Sequence, residues 1–167
     1  MALVELLTAI VLGIIFYEDL RYRGVKWYYF PALLSLMVWR FVESEANLVF
    51  IVVNVSFVMS QLTVVALYFF LRYGNVKIFD RYIGWGDLLL WAVLIFAFSP
   101  LNFVLFFILS ALFSLLCYYL FIRGENKSIP LAGFQSLFLL LIFGARFFGF
   151  AWDNYSDYQL IELLYGS

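Results

Sequence analysis

Apolar residues in this chain run in long unbroken stretches rather than alternating with polar ones, and short charged segments separate the stretches. A membrane-crossing helix takes about 20 mostly apolar residues, fewer where neighbouring helices shield it. That measure divides the chain into six stretches: about Ala2 to Tyr17, Trp27 to Val42, Leu48 to Leu71, Ile83 to Phe98, Leu101 to Ile122 and Ile129 to Phe150. The pattern predicts an all-α, polytopic membrane protein of about six transmembrane helices. Ser99-Pro100 is a break, because the residue before a proline is pushed out of helical geometry. The fourth and fifth spans are therefore expected to form an antiparallel hairpin. No repeat, low-complexity tract or linker composition divides the chain, so residues 1–167 read as one membrane-embedded domain.

Composition narrows the chemistry. At 66% apolar and 13% charged, a chain of 167 residues carries more hydrophobic surface than a soluble core of its size can hide, so lipid is the expected covering. A net charge of −1 provides no basic field for nucleic acid. The first apolar run lacks a positively charged lead-in and a small-residue cleavage site, and is read as a retained helix. Cys117, the single cysteine, excludes an intramolecular disulfide and is expected to be a buried structural thiol. The absence of histidine removes Ser-His and Cys-His nucleophilic catalysis and His-ligated zinc together. Among hydrolytic mechanisms, paired carboxylates lead.

Basic residues set the expected orientation. Arg21, Arg23 and Lys26 follow the first span, Arg72, Lys77 and Arg81 the third, and Arg123 and Lys127 the fifth; only Arg40 and Arg146 fall on the opposite side. Positive charge is enriched in cytoplasmic loops. The expectation is a multi-pass protein of the cytoplasmic membrane with both termini outside the cytoplasm.

On this topology Glu5, Glu43, Glu45, Asp153, Asp157 and Glu162 lie on the outer side and read as solvated charges. Asp87 differs, lying in the apolar run Ile83 to Trp91, where an ionised carboxylate facing lipid would be costly. Gly84 and Gly86 beside it lower helix propensity and suggest that another backbone approaches there, a substrate's or a neighbouring helix's. Asp19 closes the first span at the same cytoplasmic level. Two adjacent carboxylates do not both ionise easily, so one is expected to keep a proton while the other acts as base. Such a pair activates water for peptide cleavage with no metal or organic cofactor. Asp80, between Lys77 and Arg81, reads as solvated, and Glu18, about 100° around the helix from Asp19, points elsewhere. Most of the aromatic residues fit lipid-facing packing and interfacial belts, while Trp85 between its two glycines is placed to line a groove. Arg146 is expected to pair with an outer acid such as Asp153 or to snorkel outward.

Gly84-Trp85-Gly86-Asp87 matches the GxGD signature of intramembrane aspartyl proteases. Asp19-Leu20-Arg21-Tyr22-Arg23-Gly24-Val25 resembles the segment after the first span of type IV prepilin peptidases, and Ser128-Ile129-Pro130-Leu131-Ala132-Gly133-Phe134 resembles the proline-bearing start of that family's last helix. The resemblance implies catalysis by Asp19 and Asp87, with Arg23, Gly84, Trp85, Gly86 and Pro130 supporting them. It implies a short, peptidase-only form without the cysteine-rich segment linked to methylation. The implied substrate is a prepilin or pseudopilin precursor, cut at the cytoplasmic face of the membrane. Two positions differ from the family's habit: Val25-Lys26-Trp27 stands where an Ile-Pro pair is common, and Leu89 where a lysine is. Proteases resembling presenilin and signal peptide peptidase carry a Pro-Ala-Leu motif near the end of the chain, whereas Pro31-Ala32-Leu33 here is in the second span. A reading of another class is a small transporter or non-catalytic assembly subunit using Asp19 and Asp87 to bind a proton or cation.

Overall fold

A computed structural model describes residues 2–73, 84–122, 130–147, 153–158 and 161–162. Among them are six α-helices and no strand: α1 Ala2–Tyr22, α2 Tyr29–Glu43, α3 Val49–Tyr73, α4 Trp85–Leu94, α5 Pro100–Cys117 and α6 Leu131–Phe147. A single π-turn, Tyr118–Ile122, extends α5.

Local chemistry accounts for several helix ends. The left-handed conformation of Arg23 (φ 55°) turns the chain out of α1, and its N–H closes on the Asp19 carbonyl at 3.1 Å. Glu45 (φ 53°) does the same after α2, donating its N–H to the Val42 carbonyl at 3.1 Å. Asn47 opens α3 by accepting the Val49 N–H at 2.9 Å. Pro100 is the first residue of α5, where its missing N–H costs nothing. The hydroxyl of Ser99 and the N–H groups of Leu101 and Asn102 donate to the Asp157 carboxylate. Asp157, expected as a solvated charge, is thus the cap of α5, supplied by a segment distant in sequence.

Helix α1 packs on α6 and α2, α5 on α6, α2 on α4, and α3 on α5. Leu12, Ile15, Phe30, Leu33, Met37, Leu90, Leu94, Phe103 and Leu139 form the centre of the core. Cys117 is free and buried. Val49–Arg72 and Pro100–Leu120 are long and apolar enough to cross a membrane. Along α3 Val52, Val64 and Leu71 are more than 60% exposed, an amount of bare apolar surface that a water-covered monomer seldom carries.

Helix α4 departs from the expectation of a full span. Its 10 residues extend only about 15 Å, and the chain then turns through Ile95 to Phe98 while still buried. Carbonyls freed by such a turn need donors where water is absent. The buried amide of Asn54 on α3 supplies them, donating to the Ile95 carbonyl at 3.0 Å and the Phe98 carbonyl at 2.9 Å. Helix α4 packs mainly on α2 and α6 and meets α5 through the Trp91 and Phe107 rings, whose centres are 5.3 Å apart.

Candidate functional site

Asp19 lies in the last turn of α1 and is 92% buried, that is, 8% exposed. Asp87 is the third residue of α4 and is half-buried. Both carboxylates meet at the start of α6. Gly133 donates its N–H to Asp19 Oδ2 at 2.6 Å, and Ala132 donates its N–H to Asp87 Oδ1 at 2.8 Å. Asp87 Oδ2 also accepts the N–H of Gly84 at 3.1 Å, which folds the side chain back over its own helix start.

The reason for this meeting is the unfinished end of a helix. The first N–H groups of an α-helix have no partner within it, and its dipole places partial positive charge there. Pro130, buried and lacking an N–H, stands just before α6 and gives its carbonyl to the Phe134 N–H at 3.1 Å. The next free amides, on consecutive residues 132 and 133, each take one carboxylate from a different helix. The two acids are thus brought to neighbouring amides of one helix start.

Glycine matters most where it was not expected to. Among the described residues a Cβ on Gly86 would meet only the Phe30 ring, at 3.8 Å, and no second backbone. At Gly84 a Cβ would stand 3.2 Å from Asp87 Oδ2, which ties that glycine to the folded-back carboxylate. The close approach of two backbones is at Gly133 instead, where a Cβ would fall 3.0 Å from Asp19 Cβ and Oδ2 and 3.4 Å from the Phe16 carbonyl oxygen. Packing of α1 against α6 sets that distance, and the sequence around Asp87 carries no trace of it.

Other anticipated residues take varied places. Trp85 is exposed in the first turn of α4. Glu18 faces away from Asp19 and is buried, accepting the Lys26 backbone N–H at 3.2 Å and lying 3.3 Å from Lys26 Nζ. Glu5 was expected to be a plain solvated charge; it stands 3.9 Å from the Arg40 guanidinium, which is buried over the Phe143 ring with 4.5 Å to the ring centre. Lys77, Asp80, Arg81, Ile83, Arg123, Lys127, Ser128, Ile129 and the Arg146 side chain lie outside the described residues.

Sequence reasoning missed the two amides that hold the carboxylates. Their signal was Pro130 followed by small residues, a helix start with room for an incoming side chain. It also missed a buried polar chain one turn further along. There the Trp91 indole donates to Gln135 Oε1 at 2.9 Å, and Gln135 Nε2 donates to the Ser110 hydroxyl at 3.3 Å. Among the described residues no three His, Cys, Asp or Glu side chains gather as a metal-ligand group. No protein-family model matches the chain, and neither does any curated protein or solved structure.

Proposed function

We propose that the chain is an intramembrane aspartyl endopeptidase that removes the leader of prepilin-like or pseudopilin precursors at the cytoplasmic face of the cell's inner membrane. The observation that carries this reading is the seating of Asp19 and Asp87 on the consecutive amides of Gly133 and Ala132. Two acids from separate helices, gathered at one helix start, form the constellation that water activation at a peptide bond needs. The resemblance of Gly84-Trp85-Gly86-Asp87, Asp19 to Val25 and Ser128 to Phe134 to type IV prepilin peptidases supplies the substrate class.

The remaining parts of the reading follow the same line. Lipid covers the bare apolar faces of α3 and α5, and the shorter helices cross in company with their neighbours. Eight of the ten basic residues fall in the loops assigned to the cytoplasm, leaving both termini outside. The turn after α4 is tolerated at membrane depth because Asn54 closes its carbonyls.

In the proposed mechanism the pair carries one proton. The ionised carboxylate takes a proton from water as the water oxygen bonds to the scissile carbonyl carbon, and the protonated partner gives its proton to the carbonyl oxygen. Collapse of the resulting diol breaks the C–N bond. The first carboxyl passes its proton to the leaving nitrogen, and the second recovers one from a diol hydroxyl. Peptide and water become acid and amine, and the pair ends with one proton, as it began. Either residue fills either role, because the titration belongs to the pair. The α6 amides keep both side chains aimed throughout.

The test is cleavage of a candidate precursor in membranes by wild type, Asp19→Asn and Asp87→Asn at matched expression. Asparagine keeps size and polarity while removing ionisation. Each single change is expected to abolish cleavage with the fold intact. Cleavage that survives either change removes the dyad and moves a proton- or cation-binding role ahead.

A further inference from the structure

A cavity of about 160 Å³ lies between α3 and the helices α4, α5 and α6. Its lining includes Gln61 and Val65 of α3, Trp91 of α4, Ala111 of α5, and Leu131 and Gln135 of α6. Leu131 directly precedes Ala132, whose amide holds Asp87, and Trp91 stands one helical turn after Asp87. Anything entering the cavity therefore reaches to within about a turn of Asp87.

The walls are apolar apart from two amides, and those two differ. Gln135 has a partner at each end, its oxygen accepting from the Trp91 indole and its nitrogen donating to Ser110. Gln61 is half-buried at the middle of α3, and its side-chain amide makes no hydrogen bond among the described residues. A mid-helix amide among apolar neighbours gains from a partner that both donates and accepts. A peptide backbone is such a partner once it leaves the helix, since each residue then exposes one N–H and one C=O. Cleavage requires that unwinding, because a helical peptide bond is closed to a water nucleophile and its two acids.

Size agrees with one side chain. An apolar cavity of about 150 Å³ takes up one benzene molecule. The space is thus suited to a benzyl or isobutyl group and too large to be filled by a methyl.

We propose that this cavity is the subsite for the apolar side chain flanking the scissile bond, with Gln61 pairing to the main chain of the same unwound residue. The assignment rests on the peptidase reading above. It makes Ala111 a specificity-determining residue and Gln61 a substrate-binding one, and neither touches a carboxylate in the free protein.

Two measurements test it. In the first, the purified protein is titrated with benzene while Trp91 fluorescence is followed, in wild type, Ala111→Leu and the smaller Ala111→Val, with Trp91→Phe identifying the signal. Wild type is expected to bind benzene, Ala111→Leu to lose binding, and Ala111→Val to weaken it. In the second, each protein cleaves a pool of membrane-inserted peptides, a basic leader joined to an apolar helix of about 20 residues, with the junction residue varied among phenylalanine, leucine and alanine. Mass spectrometry reads the cut position. Wild type is expected to favour phenylalanine or leucine over alanine by about tenfold or more in kcat/KM, and Ala111→Leu to reverse that order. Gln61→Leu is expected to lower cleavage of all three peptides alike. Cleavage with an unchanged preference in Ala111→Leu overturns the subsite and leaves the peptidase standing. Benzene binding without cleavage of any peptide overturns both, and the cavity is then an apolar void of another use.

Discussion

Gly133→Ala is the substitution that most directly probes how the candidate site is built. The added methyl would arrive 3.0 Å from Asp19 Cβ and Oδ2 and 3.4 Å from the Phe16 carbonyl oxygen, so α1 and α6 must separate or the Asp19 side chain must swing away. Swinging away breaks the 2.6 Å bond from the Gly133 amide. A hydrogen bond to a charged group contributes about 1.5–3 kcal/mol. Forcing a methyl into filled space costs about 1–3 kcal/mol, against a helix-propensity gain of at most about 1 kcal/mol. The expected net loss is about 2–4 kcal/mol of stability, with cleavage well below that of wild type. Gly144→Ala on the same helix is the control, because among the described residues nothing lies within 4 Å of its added methyl, and the variant is expected to match or exceed wild type. Denaturant unfolding of the detergent-purified proteins reads the stability difference, and the precursor assay reads activity. If Gly133→Ala proves as stable and as active as Gly144→Ala, the contact of Asp19 with the α6 start is not what positions it.

Three further expectations concern the frame around the site. Asn54→Leu leaves the Ile95 and Phe98 carbonyls buried without their donor and is expected to cost about 2–4 kcal/mol; an unfolding midpoint equal to wild type would show that the turn after α4 does not depend on it. Arg23→Gly relieves a left-handed residue at φ 55°, worth about 1–2 kcal/mol, while giving up a cation at the C-terminal end of α1 worth about 0.3–1 kcal/mol, so thermal stability is expected to hold or rise by up to about 1.7 kcal/mol. A clear fall in Tm would contradict the strain argument. Lys26 lies in the loop between α1 and α2, and its hydrogen bond to the Glu18 carboxylate raises the ammonium's pKa above the usual 10.5. The stability from this pair is therefore fully present below pH 10.5 and is lost as pH rises through the raised value. The Tm gap between wild type and Lys26→Met should be constant from neutral pH to mildly alkaline pH and close above it; a gap that closes near neutral pH would refute the pairing.

The reach of the sequence differs from element to element. Long apolar runs located all six helices to within a few residues, because a run that is apolar on every face has few alternatives to a helix among other apolar groups. Asp87 drew notice for the same reason, as a charge inside such a run. Length misled at α4, where an apolar stretch of 16 positions became a helix of 10 residues and a buried turn. Hydropathy cannot register that turn, since its cost is carried by backbone carbonyls and offset by the Asn54 side chain, more than forty positions earlier in the chain.

Local pattern by itself therefore determined the helical class, the two candidate acids and the proline that opens α6. Only the tertiary structure decided what those acids touch. Asp19 and Gly133 are separated by 114 positions, and Asp87 and Ala132 by 45. The pairing arises because α6 starts with unfilled amides and a glycine small enough for α1 to approach. The same holds for Asp157 at the start of α5 and for Arg40 over Phe143. A charged side chain's neighbours along the chain state what it can do, whereas the partner that offsets its burial is supplied by whichever helix packing brings alongside.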